Sequence, residues 1–533
     1  MPTAYILTWG FQQMTSNIAV RNPILDREIY SVESPDQSQI LQVMQRAQKA
    51  AANCAAMTLQ QRIQQVHRLK YWILDNSEFI LDSIIAETGK SRFDALSAEV
   101  FSTCDVLETY TKLAPQVLRD RKVKTPLFLM GKKSQIFHEP LGTVLVIAPW
   151  NYPFTQGIVP TVIAFLAGNS IVLKPSEVTP LKPLWDKLIA ESGLLSNALQ
   201  VVYGGRETGA QLIDAKPDKV HFTGSVPTGK KVMASCAKHL IPVDLELGGK
   251  DPGIVFDDVD MERTVNGVLW GAFTTTGQSC TSLERLYVQE SIYDSFVSLL
   301  AQRAQQLRCS TPQSDPRQPD GFDMGTITAP YQIATIEQHI QEAVDQGAKV
   351  LCGGIRQPGS AHCVPTVVVN VTHDMKLGSQ ETFGPVIAVM KFKSEQEAIA
   401  MANASEYGLG ASVWSKDLSR AERVARALKV GNVSINNHMI TEANAYLPFG
   451  GVKQSGFGRI KGEEGLLTFC NIKSVVMEKQ SSKIDPHWYP FTKEKYRLMN
   501  NMMHSYFGRR RNWVKFLINA MQLDSIGKKQ KLK

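Results

Sequence analysis

A chain of 533 residues that is 43% hydrophobic and 20% charged can fill more than one core, which excludes a disordered or fibrous polymer. The formal net charge of +8 is carried by the tail: residues 481–533 hold twelve Lys/Arg against three Asp/Glu, or +9, so the first 480 residues sum to about −1. A neutral body excludes an extended nucleic-acid surface on it, and any anionic partner is left to the tail.

No apolar run reaches the roughly eighteen residues of a membrane span. Residues 1–10 are apolar but lack the basic start and small-residue cleavage site of a secretory signal. The eight cysteines show neither paired CxxC nor metal-ligand spacing, so no metal site is expected and a reducing, cytoplasmic setting is.

Residues 1–35, broken by Pro23 and Pro35, read as an irregular arm. From 37 to 116 the apolar positions recur at helical spacing, as in Ile63, Val66, Leu69, Ile73 and Ile80, Ile84, Ile85. Residues 117–135 are basic and interrupted by Pro126 and Gly131. The continuous apolar run 141–148 then predicts a buried strand, followed by a helix over 154–167 and a second buried strand at 170–173. That is a β-α-β unit of a parallel sheet. Strands are expected again at 200–203, 219–222 and 243–245, with a helix over 227–238. A second β/α series follows Gly248, with strands at 254–256, 286–288, 365–371, 386–392, 411–414 and 432–435. The segment 309–324, rich in Pro, Gln and Asp, reads as a surface loop.

The segment 274–285, TTTGQSCTSLER, sits between a helical run and a strand-like one. A cysteine at such a junction can serve as a nucleophile, with the glycine before it letting a substrate approach the backbone. Most isolated cysteines are instead small buried hydrophobes. Five further segments change the balance for Cys280: PWNYP at 149–153, KPSE at 174–177, FTGS at 222–225, ELGGK at 246–250 and ETFGP at 381–385. With PFGG at 448–451, they resemble the aldehyde dehydrogenase superfamily in identity, order and spacing over roughly residues 35–480.

Read as residues alone, these positions keep alternatives. Lys174 and Glu177 follow a predicted strand end, where open α/β sheets bind ligands, but they could form a surface ion pair. Glu246 ends an apolar run that would raise its pKa towards neutrality, yet it could cap the strand or pair with Lys250. Gly224 and Ser225 open a helix whose N-terminus can face a pyrophosphate, although no G-x-G-x-x-G is present and Lys231 stands where a P-loop carries Ser or Thr.

The resemblance assigns roles. It implies that Cys280 is the nucleophile, Glu246 the general base, and Asn151 with the Cys280 backbone N–H the oxyanion hole. It implies a cofactor site of Trp150, Lys174, Glu177, Gly224, Ser225, Glu381 and Phe383, holding NAD, with NADP as the alternative. The Glu177 carboxylate favours NAD because it would repel a 2′-phosphate. One departure is Thr275, where many members have asparagine. The remaining seven cysteines read as structural.

The implied fold is α/β: a Rossmann-like cofactor domain, a second α/β catalytic domain and a small β oligomerisation element. The layout is an N-terminal arm at 1–35, the cofactor domain at 36–247, the catalytic domain at 248–446, a return to the cofactor domain at 447–482 and a basic extension at 483–533. Segments near 121–140 and 466–482 form the oligomerisation element. The implied function is NAD-dependent oxidation of a small-molecule aldehyde to the acid by a homodimer or homotetramer. A coenzyme A-acylating relative and a silent scaffold are the alternatives, and the presence of Cys280 and Glu246 argues against both.

The extension lies beyond the resemblance. Drawn as a helix, 513–523 places Lys515, Asn519 and Gln522 on a narrow polar stripe, with Trp513, Phe516, Leu517, Ala520 and Met521 over the rest. Flanked by Arg509, Arg510, Arg511 and by Lys528, Lys529, Lys531, it suits peripheral contact with an anionic membrane. Docking on the protein itself or on a partner subunit is the other expectation.

Overall fold

In the computed structural model, which describes residues 17–129, 131–192, 198–354, 359–479 and 484–529, the apolar run after Pro140 becomes β1 (Thr143–Ile147). All five of its residues are buried. Val144 and Val146 face one core, with Leu69, Ile73 and Trp185. Leu145 and Ile147 face the opposite one, with Ile40, Met44 and Leu212. A strand covered on both sides in this way belongs in a parallel sheet. α1 (Thr155–Leu166) leads to β2 (Ser170–Lys174), parallel to β1. β3 (Leu199–Val201), β4 (Lys219–Thr223), α2 (Val226–His239) and β5 (Val243–Glu246) follow. The spatial order is β5-β4-β1-β2-β3. Its direction reverses between β1 and β4, and such a reversal opens a crevice at the carboxyl ends of the strands.

The second sheet contains β6 (Asp251–Val255), β7 (Leu283–Gln289), β8 (Lys349–Cys352), β9 (Thr366–Val369), β10 (Val386–Phe392), β11 (Gly410–Trp414) and β12 (Asn432–Ile435). They lie in the order β8-β9-β10-β7-β6-β11-β12 and only the edge strand β8 is antiparallel. α3 (Met261–Phe273) connects β6 towards β7 and delivers the chain to the cysteine segment. β13 (Gly456–Phe457) returns to the first sheet, antiparallel to β5, with Gly456 opposite Glu246.

Residues 17–33 correct the expectation of an irregular arm. Asn17–Asn22 and Arg27–Glu33 pair as an antiparallel hairpin. Pro23 sits in the turn, where the Asn22 side chain accepts the N–H groups of Ile24 and Leu25 at 3.0 and 2.9 Å. Proline there punctuates the strands without breaking them. Residues 1–16 of the expected arm lie outside the described residues.

Residues 1–120 with 137–473 form one compact unit, and 121–136 with 474–533 a second. The segments that the resemblance gives to oligomerisation contain the strands Arg121–Val123, Lys133–Pro140 and Cys470–Met477, a three-stranded sheet with the last at one edge.

In the second unit α4 (Lys493–Phe507) and α5 (Trp513–Lys529) pack together around Leu498, Met502, Phe516 and Leu523, with Leu127 against them. The expected stripes are corrected here. Phe516 turns inward, and Asn519, placed on the polar stripe by the sequence, is buried, with its side-chain oxygen accepting from Asn501 at 3.4 Å. Docking against α4 outweighs the polarity of one amide that finds partners. Lys531 lies outside the described residues. Among the described residues no helix is long and apolar enough to cross a membrane.

Candidate active site

α3 ends at Phe273, and the backbone then makes a turn that ordinary side chains avoid. Thr275, Thr276 and Gly277 take φ of 50°, 59° and 68° in succession. For a β-branched residue this is a sterically costly region, so neighbours must hold it. Asp94 does so across 180 residues of sequence: its carboxylate accepts the Thr274 hydroxyl at 2.9 Å and the Thr275 N–H at 3.0 Å. The Gln278 side chain donates to the carbonyls of Thr275 and Thr326 at 3.1 and 3.0 Å and accepts the Thr328 N–H at 2.8 Å. Tyr152 reaches the Thr275 hydroxyl at 3.3 Å, so the threonine that departs from the family pattern is tied into the site. Gly277 is required, since a Cβ there would lie 2.2 Å from the Gly384 carbonyl oxygen.

This turn presents Cys280, which is half-buried and in no disulfide. Burial pushes its thiol well above the ordinary cysteine value, and the carboxylates of Glu442, Asp251, Glu246 and Glu381 push it further. Glu246, at the end of β5, is buried. Burial raises its carboxyl well above the usual range, with Arg459 the leading opposing charge. Among the described residues neither of its oxygens has a hydrogen-bond partner. Lys250 does not pair with it; that ammonium donates instead to Glu284 and, at 3.2 Å, to the Thr382 hydroxyl. Asn151, just past β1, donates one amide N–H to the Gln278 carbonyl at 3.0 Å. An amide nitrogen carries two such donors, so this bond uses one of them.

The residues expected to hold a dinucleotide stand at strand ends of the first sheet or facing them. Lys174, buried at the end of β2, donates to the Pro175 carbonyl at 3.1 Å and to Glu177 at 3.4 Å. Glu177 keeps 42% of its side chain exposed, leaving acceptor capacity. Ser225 stands at the N-cap of α2, but no side chain caps that helix; its hydroxyl turns to Thr228 at 3.0 Å. The first amides of α2 are therefore open to an anion. Gly224 tolerates no Cβ, which would lie 2.6 Å from the Phe222 ring. Glu381 accepts the Gly249 N–H at 3.0 Å, and burial, then Glu284, pushes its carboxyl up to about 8. Phe383, at φ 53°, meets Trp150 edge-on with ring centroids 5.2 Å apart, bringing the two sheets' loops together. Open helix amides, a half-exposed carboxylate and an aromatic pair fit a dinucleotide at this crevice.

Sequence reasoning missed Asp94, Glu284, Glu442 and Lys461. None was given a role from the sequence, although Glu284 stands inside the quoted segment 274–285, and each acts through contacts that only the fold creates.

Fold and site together define a dinucleotide-dependent oxidoreductase built around a cysteine. The model of the aldehyde dehydrogenase family matches residues 10–475. A 4,4'-diapolycopene aldehyde oxidase from Methylomonas sp is 39% identical over 92% of each chain. Among solved structures, an aldehyde dehydrogenase from Bacillus cereus in complex with NAD+ superposes with a TM-score of 0.82 at 31% identity, covering 87% of this chain and 94% of that one. An E. coli NADP-dependent enzyme gives 0.82 at 30% identity, covering 87% and 95%. The chain belongs to the aldehyde dehydrogenase family and oxidises aldehydes to carboxylic acids with a nicotinamide dinucleotide.

The clamp on the cysteine turn is testable. Gln278→Ala should leave the fold intact while lowering kcat by roughly a hundredfold, the cost of about an ångström of misplacement. Turnover within threefold of wild type, measured by NADH absorbance, would show that Asp94 alone holds the turn.

Proposed function

We propose that Cys280 attacks the aldehyde carbonyl carbon, that Asn151 and the Cys280 backbone N–H hold the oxyanion, and that Glu246 first takes the thiol proton, passes it to solvent, and later takes a proton from water. A bound dinucleotide supplies the two-electron acceptor that turns the thiohemiacetal into a thioester. Water activated by Glu246 then releases the carboxylic acid and frees Cys280. What carries this reading is Glu246: a buried carboxyl whose pKa burial raises, and whose oxygens have no hydrogen-bond partner among the described residues, is placed to take up a proton. The same group argues against coenzyme A as acceptor, because hydrolysis is the step that a water-activating base serves.

With Cys280→Ala, aldehyde oxidation should vanish while dinucleotide binding persists. With Glu246→Gln, steady turnover should collapse, but stopped-flow mixing should still show a slow first formation of NADH and mass spectrometry an acyl group on Cys280. Unchanged turnover in either variant would remove that residue from its role.

We infer that NAD is preferred over NADP. Glu177 offers acceptors to ribose hydroxyls, and Lys174 is tied to it and to the Pro175 carbonyl, so that cation is not spare for a 2′-phosphate. The ratio of kcat/KM should favour NAD, and Glu177→Gln should move it towards NADP by about tenfold, one removed like-charge contact being worth about 1.4 kcal/mol. A wild-type preference for NADP would overturn this.

We further propose an apolar, membrane-dissolved aldehyde as substrate, met at an anionic bilayer by a homodimer or homotetramer. Exposed Phe101, Trp270 and Ile440 lie on elements that each touch the cysteine turn: Asp94 precedes the first, α3 carries the second, and His438, bonded to the Thr281 carbonyl at 2.8 Å, precedes the third. The likeness to the relative named for 4,4'-diapolycopene aldehyde agrees with such a substrate. In the second unit, α4 exposes Tyr496, Met499, Met503 and Phe507 at helical spacing, and α5 exposes Val514, Leu517, Ile518 and Met521. Arg509, Arg510 and Arg511 join the two helices, so apolar stripes flank a basic turn as an anionic interface requires. Self-association is supported by the edge strand Cys470–Met477, which exposes Ile472, Val476 and Met477.

The full chain should sediment with anionic liposomes at low salt and oxidise a long-chain aldehyde dissolved in them. Replacing Arg509, Arg510 and Arg511 by Glu should release it and slow that substrate at least tenfold, with a short soluble aldehyde unaffected. Light scattering separates lost assembly from lost lipid contact, and equal recovery of both proteins in the supernatant would refute the membrane reading.

A further inference from the structure

Glu442 and Lys461 belong to none of the roles assigned above, yet Glu442 bonds the segment that carries Cys280 and Lys461 bonds Glu442. Glu442, on the short helix Ile440–Ala443, accepts the hydroxyl of Thr281, the residue after the cysteine. His438, four residues before Glu442, bonds the Thr281 main-chain carbonyl. One segment thus grips the cysteine's neighbour by side chain and backbone. Lys461, held at φ 65°, donates to the main-chain carbonyl of Glu442, and its ammonium lies 5.9 Å from the centre of the Phe449 ring. A non-glycine residue in the left-handed region at such a place is held there by its surroundings.

The charges facing Cys280 are lopsided. Glu442, Asp251, Glu246 and Glu381 all oppose its ionisation. Of the nearby cations, Arg459 acts on Glu246 and spends its hydrogen bonds on the Gly451 and Gly458 carbonyls at 2.9 and 2.6 Å. Lys461 is lowered by burial and supported in turn by Glu442, Cys280, Asp105 and Glu246, so it is the cation that senses both the thiol and the base. Tyr152, also near Glu442, stays a neutral phenol because burial raises it.

We propose that Glu442 and Lys461 are a charge-compensated pair that sets when Cys280 can act as a nucleophile: Glu442 anchors Thr281 and keeps negative charge beside the resting thiol, and Lys461 offsets that charge. Both are positioning residues, acting through the cysteine. A thiol kept protonated at rest is poorly nucleophilic and resists adventitious alkylation and oxidation, while the neighbouring cation keeps it within reach of a base once the aldehyde is bound. The inference rests on Cys280 being the nucleophile.

The two halves of the pair push in opposite directions, and a purely structural role would not. Glu442→Gln keeps the shape and an acceptor for Thr281 but removes the negative charge; Lys461→Met keeps the stem over Phe449 but removes the positive one. Alkylation of Cys280 by iodoacetamide, followed by peptide mass spectrometry on the full chain between about pH 6 and 10, reads the thiol directly. The midpoint should fall by about one unit in Glu442→Gln, giving about tenfold faster modification at about pH 8, and rise by about one unit in Lys461→Met. The double variant should return towards wild type, and Glu442→Asp should retain the wild-type midpoint, which keeps the test open if the glutamine variant folds poorly. Midpoints that move the same way in both single variants, or move in neither, would overturn the pair. Fully alkylated enzyme that still turned over aldehyde would instead remove Cys280 as nucleophile, so the two failures are distinguishable.

Discussion

One buried carboxylate, Glu284, joins the segments on which the site depends. It stands at the start of β7, four residues after Cys280, and accepts the N–H groups of Thr382 and Phe383 at 2.8 and 2.9 Å. On its other side it receives the Lys250 ammonium, four residues after Glu246. The cysteine, the base and the loop carrying Glu381 and Phe383 are therefore registered to one another by a single side chain. Both partners of the ion pair are excluded from water. Removing one partner would leave an uncompensated charge at a cost of about 3–5 kcal/mol, whereas the intact pair adds little net stability. What it contributes is geometry.

That geometry gathers acids where the chemistry needs them. Glu246, Glu381, Asp251 and Glu442 converge on one thiol in a water-poor setting, and each is raised by burial. Glu246 differs from the others in that, among the described residues, neither of its oxygens has a hydrogen-bond partner. Glu381 is committed to the Gly249 N–H and Asp251 to the Gly410 N–H at 3.0 Å. Under the role proposed for Glu246, similar residues around one thiol are sorted into base and scaffold by their partners.

Much of this was legible in the sequence. Buried parallel strands read clearly because both faces are covered, so β1, β2 and β10 carry unbroken apolar runs at 144–147, 171–173 and 386–390. The candidate site residues could be named because their motifs are local: Trp150 with Asn151, Lys174 with Glu177, Gly224 with Ser225. What could not be read depends on long-range placement. Asp94 holds a turn 180 residues away, Glu442 and Lys461 reach the cysteine from the far end of the chain, and nothing in their immediate surroundings signals it. The edge strand β8 and the hairpin at 17–33 were missed for a different reason, since partly exposed strands dilute the alternation on which such readings rest. At α5 the helical period was right but the inward face was not, because α4, which decides it, had not been placed.

The departure at Thr275 shows how such long-range contacts carry a local anomaly. Two threonines in the left-handed region cost of order 1–3 kcal/mol each, roughly 4 together at central values. Against this stand two hydrogen bonds to the Asp94 carboxylate and three through the Gln278 side chain. At about 1.5–3 kcal/mol for bonds to a charged group and about 0.5–1.5 for neutral ones, they sum to roughly 7 kcal/mol. The clamp exceeds the strain, so the turn rests in one conformation with Gln278 locked. A less strained residue at 275 would need less clamping; here the strained backbone and its anchors are matched, and Cys280 is presented from a turn that cannot relax without breaking bonds on both sides of it.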